Sequence, residues 1–425
     1  MRVGVGILGG GTVGGTLARK LLGDADIISA KSGIELDLVK VAVRDLDRDR
    51  PFPSSYATDD LESVVDDDRV QLVVELMGGV EPARTLILKA LAAGKPVVSA
   101  NKALIAALGP ELFSAAADAG VPLLFEAAVG GGIPLIRPLS ESLAGERLSR
   151  ILGIVNGTTN YILTAMDSEG ASYDDVLAEA QRLGYAEADP TADVGGFDAA
   201  AKAAILAGLG FGVWVEASDI HTEGIDSIET TDIDFARDLG YCIKLLAVAE
   251  ATDAGTSVRV HPSLVPLDHP LANVRGANNA VFVEGEAVGE LLFMGPGAGG
   301  EPTATAVLGD VIDAAKDLLA GTRVAPRIRL GSGAIADFGD IVTKWYIRLE
   351  VADAPGVLAS IAGAFGEHDV SIMSVWQEGR GDDATLLLVT HDAPEANHQA
   401  AVSSLADLAA VKQVAATIRV ISPEP

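Results

Sequence analysis

Cysteine is almost absent from the chain: Cys242 stands alone among 425 residues. One thiol excludes an intrachain disulfide and a cysteine-based metal cluster, and it reads most simply as a small buried apolar side chain. Basic residues are also scarce, with 31 Lys and Arg against 60 Asp and Glu and a formal charge of −29. No basic stripe is available to neutralise phosphates, so a nucleic-acid footprint is not expected. Long apolar runs are missing too; none reaches the about 18 residues of a membrane span. No export leader is expected, because MRVGVGILGGG runs straight into a strand and a glycine turn. These absences point to a cytoplasmic protein without nucleic-acid or membrane partners. What is abundant is apolar material, 49% of the chain. At this length it suits roughly two to four cores rather than one.

The first element is a short apolar strand, VGVGIL, followed by GGGTVGGTLARKLL, which turns at glycines and becomes a helix. Gly9, Gly11 and Gly14 have G-x-G-x-x-G spacing in the strand-before, helix-after context that gives this motif meaning. The first glycine permits the turn, the second admits a pyrophosphate, and the third lets helix and strand pack closely. The phosphate then rests on the helix N-terminus, at Thr12 and Val13. A second strand, DLVKVAV, ends in Arg44. An arginine there suits the extra phosphate of NADP, whereas the adjacent Asp45 keeps NAD as the alternative.

Further apolar strands, VQLVVELM, KPVVSANK and VPLLFEAAVGGGIP, alternate with helices, which implies a parallel sheet covered on both faces. The fold class is α/β, with an N-terminal Rossmann domain. Ligands of such sheets lie at the carboxyl ends of the strands. Gly78, Ser99 and Lys102 fall there and are candidate cofactor contacts, Lys102 being either the polar residue that would stand beside a nicotinamide or a surface lysine capping the next helix. The VGGG run at 129–132 can turn its carbonyls around a small cation or serve as a hinge. A glycine-rich turn farther on, carrying Gly297 and Glu301, feeds a long helix; it can close over the cofactor or simply reverse the chain.

The segment Gly184 to Lys202, GYAEADPTADVGGFDAAAK, places Glu187, Asp189, Asp193 and Asp198 ahead of one lysine. Asp198 lies four residues before Lys202, one helical turn away, where an acid–lysine pair is stabilising. The apolar run that follows puts Lys202 near a low-dielectric core. A plain intrahelical salt bridge and a catalytic lysine both fit. Earlier, RILGIVNGTTNYIL ends a strand at Asn156, Gly157 and Thr158, side chains that cap a helix or bind a polar amino acid. Residues 216–290 carry no motif, and His221 and His261 read as packing or surface residues.

The last stretch reads as a separate unit. KWYIRLEV alternates apolar Trp345, Ile347, Leu349 and Val351 with polar partners, the pattern of a half-buried strand. With the elements after it the order is βαββαβ, ferredoxin-like.

SANK at 99–102, NGTTNY at 156–161, the 184–202 segment and GPGAGGEPTATAVLGD at 295–310, behind an N-terminal dinucleotide fold, resemble homoserine dehydrogenase over roughly residues 1–325. The resemblance implies NADP-dependent interconversion of L-aspartate 4-semialdehyde and L-homoserine. It implies Lys202 and Lys102 as the lysines of proton transfer and substrate polarisation. Glu187, Asp193 and Asp198, with Asn156, Gly157, Thr158 and Tyr185, would contact the amino acid. The carbonyls of Val129, Gly131 and Ile133, with Glu126, match a monovalent-cation site, sodium for example. The DAPGVL turn resembles the ACT regulatory domain, which implies an amino-acid effector, L-threonine first, and a homodimer or homotetramer. The expected layout is a Rossmann domain at 1–130, an α+β catalytic and dimerisation domain at 131–325, a linker at 326–343 and an ACT-like domain at 344–425. An amino-acid-binding protein with a vestigial dinucleotide fold is the other class; intact Gly9, Gly11, Gly14, Lys102 and Lys202 favour the enzyme.

Overall fold

The structure, a computed structural model, describes residues 2–321, 328–379 and 384–421. Residue 1, residues 322–327 around the expected start of the linker, and 380–383 and 422–425 of the expected C-terminal domain lie outside the described residues. Two compact units are present, one of residues 1–148, 204–218 and 279–332, the other of 149–203, 219–278 and 333–425.

The first unit is built on a parallel sheet of β1 (Arg2–Leu8), β2 (Glu35–Ala42), β3 (Ala57–Thr58), β4 (Leu72–Glu75), β5 (Val97–Ser99) and β6 (Leu123–Leu124). Their spatial order is β3-β2-β1-β4-β5-β6, and every pairing is parallel. That is the doubly wound order, whose switch point lies between β1 and β4. The strands are apolar on both faces because helices cover both: Val3, Val5, Ile7, Leu72 and Val74 are fully buried. Val307, Val311 and Ala314 of the helix Gly300–Ala320 belong to the same core as Leu17 and Ala18 of the helix Thr12–Gly23. Gly14 is demanded by this packing, since a Cβ there would lie 1.9 Å from the carbonyl oxygen of Gly9.

The second unit holds β7 (Leu148–Ile154), β8 (His221–Thr222), β9 (Tyr241–Thr252) and β10 (Gly255–Pro266). Beyond the two strands β11 (Asn278–Gly285) and β12 (Gly289–Pro296), which fall largely in the first unit, it continues with β13 (Val342–Val351), β14 (Ile372–Glu378), β15 (Ala384–Thr390), β16 (Ala393–Pro394) and β17 (Val411–Val420). β9 and β10 form a hairpin in unbroken register from Tyr241↔Pro266 to Thr252↔Gly255. The sheet order across the unit is β7-β9-β10-β17-β13-β15-β14.

The C-terminal segment has the expected βαββαβ order, with helices Val357–Glu367 and Glu395–Ala406. Trp345, Ile347, Leu349, Ile361, Phe365, Leu388 and Leu405 form its core. Each such side chain fully buried contributes about 1.5–3 kcal/mol. Two findings differ from the sequence reading. The segment continues a sheet begun earlier in the chain, since β17 runs parallel to β10 through Ser263↔Arg419 and Leu264↔Val420. And β13 is buried on both faces, with Tyr346 at 1% and Arg348 at 3% exposure. The polar face is covered because it has a polar partner. Arg348 Nε donates to Asp232 Oδ1 at 2.8 Å, Nη2 donates to Oδ2 at 3.1 Å, and the Tyr346 hydroxyl lies 3.3 Å from Oδ1. Among the described residues no helix is long and apolar enough to cross a membrane.

The Arg348–Asp232 pair yields the first prediction. Replacing Arg348 by Met leaves the Asp232 carboxylate buried without its cation and should lower unfolding free energy by about 3–5 kcal/mol. Adding Asp232→Asn should recover part of the loss. Urea unfolding of both variants reads this; an unchanged midpoint for Arg348→Met would show the pair to be neutral.

Candidate active site

The glycine turn after β1 meets the requirements of a dinucleotide phosphate. Gly9 has φ +104°, and the Gly9 and Gly10 amides donate to the Ala42 carbonyl at 3.1 and 3.0 Å, folding the turn over the end of β2. The helix Thr12–Gly23 starts at Gly11 with no side-chain cap and no acid in its first turn, so no carboxylate of its own first turn competes for its positive end. A Cβ at Gly11 would meet no atom within 4 Å, the space a pyrophosphate needs. The residues therefore fit the cofactor. Gly300 packs on this turn, where a Cβ would come 3.0 Å from Thr12 Cγ2 and 3.2 Å from Thr16 Oγ1. Glu301 pairs with Arg19 and with Lys20 at 3.1 Å, tying the long helix to the first one. Arg44 is exposed just past β2.

At the ends of β4 and β5 lies a buried carboxylate that sequence reading passed over as a site. Glu75 accepts from Ser99 Oγ at 2.7 Å and from the Met77 amide at 2.8 Å. Burial pushes its pKa up, opposed by these hydrogen bonds. Ser99 thus faces Glu75, and its hydroxyl also accepts from the Asn101 amide. Asn101 reaches back to the Gly79 carbonyl at 2.7 Å, closing the Gly78–Gly79 turn over the strand ends. Gly78 has φ +77° and open space beside it. Lys102 is exposed and opens the helix Lys102–Ala119. The signal available in sequence was one acid ending an all-apolar strand, LVVE.

The Glu126–Ile133 turn is ordered from within the first unit. The two carboxylate oxygens of Glu126 accept the amides of Leu135 at 2.5 Å, Ile136 at 2.7 Å and Arg137 at 3.0 Å, while the Glu126 amide donates to Asp310 at 2.7 Å. Gly130 and Gly131 have φ +74° and +57°. Gly131 is pressed against the glycine-rich turn, where a Cβ would lie 2.3 Å from the Gly297 carbonyl oxygen, and the Gly132 amide donates to the Pro296 carbonyl. Close backbone approach thus accounts for the VGGG run. Among the described residues no group of three or more His, Cys, Asp or Glu side chains is placed to hold a metal ion. A cation here would rest on the backbone carbonyls of Val129, Gly131 and Ile133, because the Glu126 carboxylate already serves three amides.

The second unit gathers the other candidates. Lys202 and Asp198 are 7% and 8% exposed on the helix Phe197–Phe211. Lys202 Nζ donates to Asp198 Oδ2 at 2.7 Å and to the Val155 carbonyl at 2.6 Å. Asn156 joins the carboxylates: its Nδ2 donates to Asp198 Oδ2 at 2.9 Å and to Asp193 Oδ1 at 2.7 Å. Its Oδ1 accepts the Thr159 amide at 2.9 Å, so one side chain both caps the helix Gly157–Glu169 and bridges two acids. The cap fixes the amide orientation, leaving both donors for Asp193 and Asp198. Thr158 donates to the Tyr185 carbonyl at 2.6 Å, and the Tyr185 ring lies against that of Tyr161, tilted by 32° with centroids 4.8 Å apart. Asp189 is exposed and accepts from Thr191 of its own loop, and Glu187 is exposed beside it. Asp193, Asp198, Asn156 and Lys202 are therefore one connected cluster, with Glu187 and Asp189 on its exposed loop.

A dinucleotide turn on a parallel sheet, with a buried lysine–carboxylate–amide cluster elsewhere in the chain, defines a nicotinamide-dependent oxidoreductase. Family patterns agree: that of "Homoserine dehydrogenase, NAD binding domain" matches residues 9–126, "Homoserine dehydrogenase" matches 134–312 and "ACT domain" matches 345–410. The homoserine dehydrogenase of Mycobacterium tuberculosis is 49% identical over 98% of this chain and 97% of its own. A crystal structure of the homoserine dehydrogenase from Thiobacillus denitrificans superposes with a TM-score of 0.94 at 42% identity, over 99% of this chain and 98% of its own. A hyperthermophilic archaeal homoserine dehydrogenase solved with NADPH aligns at 31% identity and TM-score 0.61 over 75% of this chain and 98% of its own. The chain belongs to the homoserine dehydrogenase family.

The Glu126 arrangement is testable. Charge-assisted hydrogen bonds contribute about 1.5–3 kcal/mol each, so Glu126→Ala should lower stability by several kcal/mol and Glu126→Gln by less. Thermal unfolding of the two variants checks the order; equal and negligible shifts would mean that solvent satisfies the Leu135–Arg137 amides.

Proposed function

We propose that the chain interconverts L-aspartate 4-semialdehyde and L-homoserine with NADP as its cofactor, the first unit binding the dinucleotide and the Lys202 cluster acting on the amino acid. The observation that carries this reading is a buried ammonium, Lys202, held by one carboxylate and one carbonyl, beside an amide that joins two acids. NADP, when bound, supplies or accepts the hydride. Gly9, Gly11, Thr12, Val13 and Gly14 take its pyrophosphate, Arg44 its extra phosphate, and Gly78, Ser99, Lys102, Gly297 and Glu301 line its remaining length. NADP over NAD follows from Arg44, and the archaeal relative solved with NADPH is consistent with it.

Asp193, Asp198 and Glu187 receive the substrate ammonium by charge-assisted hydrogen bonds, with Asn156, Gly157, Thr158 and Tyr185 shaping the site. Lys202 delivers a proton to the aldehyde oxygen as it becomes an alkoxide, and takes it back in the oxidative direction; Lys102 is assigned to substrate polarisation. A sodium or similar monovalent ion is placed on the carbonyls of Val129, Gly131 and Ile133, next to Glu126. The layout follows as a Rossmann domain at 1–130, a catalytic and dimerisation domain at 131–325, a linker at 326–343 and a regulatory domain at 344–425. The C-terminal domain takes an amino-acid effector, L-threonine, in a cytoplasmic homodimer or homotetramer.

The experiment is homoserine-dependent reduction of NADP, followed at the reduced nicotinamide, with Lys202→Met alongside the parent chain. Removing the proton donor should lower kcat by about 10²–10⁴ while NADP affinity, read by fluorescence titration, stays the same. Turnover within a few-fold of the parent would make Lys202 a structural salt bridge. Added L-threonine should suppress the parent's turnover; undiminished turnover at millimolar threonine would sink the effector assignment.

A further inference from the structure

Arg419, on the last strand, is 2% exposed and sits in a dense set of partners. It pairs with both oxygens of Glu395, at 3.2 Å through Nε and 3.1 Å through Nη2, and lies over the Trp345 ring at 4.5 Å. Its remaining terminal nitrogen donates to Glu223 Oε2. The other Glu223 oxygen meets His221 Nε2 at 2.7 Å. Burial works against charge on Glu223, yet the His221 contact and the Arg419 charge hold its pKa down to about 2, so the pair is ionic at neutral pH.

The backbone around Glu223 is pressed on the turn that separates the two site aspartates. Gly196, at φ +84°, would place a Cβ 2.9 Å from Thr222 and 3.1 Å from the Glu223 carbonyl oxygen. Gly224 would place one 2.5 Å from the Val194 carbonyl oxygen and 2.9 Å from Gly195 Cα. The Ile225 amide donates to Val194 at 2.9 Å, and the Glu223 amide donates to Val260 on β10 at 2.8 Å. Val194 follows Asp193, and Gly196 lies two residues before Asp198. The 222–225 segment therefore has a β-strand at its back and the Asp193–Asp198 turn at its front.

We propose that Glu223 and Arg419 are positioning residues: their ion pair holds the 222–225 segment against the Val194–Gly196 turn and so sets the spacing of Asp193 and Asp198 around Asn156. The placement of the C-terminal strand is thereby linked to binding of the substrate ammonium. This rests on the reading of Asp193 and Asp198 as ammonium ligands. Loosening the pair should widen that grip without touching the dinucleotide turn. Surrounding groups limit what can substitute for the pair: Glu395 is already committed to Arg419, and His221 stacks on Phe338 at 3.6 Å.

The test uses the full chain with Glu223→Gln, which keeps the shape, and Gly224→Ala, which displaces the turn without removing a charge. Both should raise the homoserine KM about tenfold while the NADP KM moves less than about twofold. Amide hydrogen exchange at Val194–Lys202 should speed up in both, with β1 amides unaffected. Unchanged exchange at 194–202 in Glu223→Gln overturns the strut. Faster exchange with an unchanged homoserine KM overturns its link to the substrate, as does a parallel rise of both KM values. If the parent chain fails to oxidise homoserine, the functional reading falls, and the exchange data still decide whether the pair holds the turn.

Discussion

An ammonium group taken out of water must be surrounded by oxygen, and this requirement organises the candidate site. Lys202 is 7% exposed, and its helix is apolar along most of its length. Leaving such a charge without partners would cost several kcal/mol. Asp198 satisfies it from one turn away on the same helix and the Val155 carbonyl from the end of a strand. Asp198 in turn needs donors, and Asn156 provides one because its other end is fixed as a helix cap. Asp193 is brought in by the second Asn156 proton. Four residues separated by up to 46 positions become one group, in which each polar atom fixes the direction of the next.

The same logic extends along the second unit. Its sheet passes from β10 to β17 by parallel pairing, and two arginines of the C-terminal strands, Arg348 and Arg419, turn buried guanidinium groups toward the 219–238 segment. Each is balanced by carboxylates, Asp232 and Glu229 for the first, Glu223 and Glu395 for the second. In a chain with about twice as many acids as bases, buried cations are scarce, and these two lie where the C-terminal strands meet the body of the unit. The first unit relies on different means: apolar strands, close glycine contacts and one carboxylate, Glu126, gathering three amides.

Much of this was legible before any coordinates. The glycine spacing at 9, 11 and 14 demands a strand-to-helix turn, and the alternation of Trp345, Ile347, Leu349 and Val351 marks a strand with one face on an apolar core. The i, i+4 spacing of Asp198 and Lys202 is a local fact and appears as a 2.7 Å ion pair. The β9–β10 hairpin was not legible. KLLAVAEA is made of good helix formers, and its strand state comes from twelve residues of pairing with β10. Nor was the burial of Arg348, because alternation tells which side chains share a face but not what covers that face.

The sequence by itself determined the periodic and local features: the doubly wound sheet, the dinucleotide turn, the βαββαβ tail and the lysine–aspartate pair. These depend on patterns of two to five residues, which short-range sterics and burial convert directly into backbone geometry. Only the tertiary structure decided that Asn156 bridges Asp193 and Asp198, that the VGGG run is shaped by the Gly297 carbonyl, and that Arg419 reaches Glu223 across 196 positions. Such partners are selected by which segments pack together. That choice belongs to the summed burial of the whole chain, and no single stretch of residues encodes it.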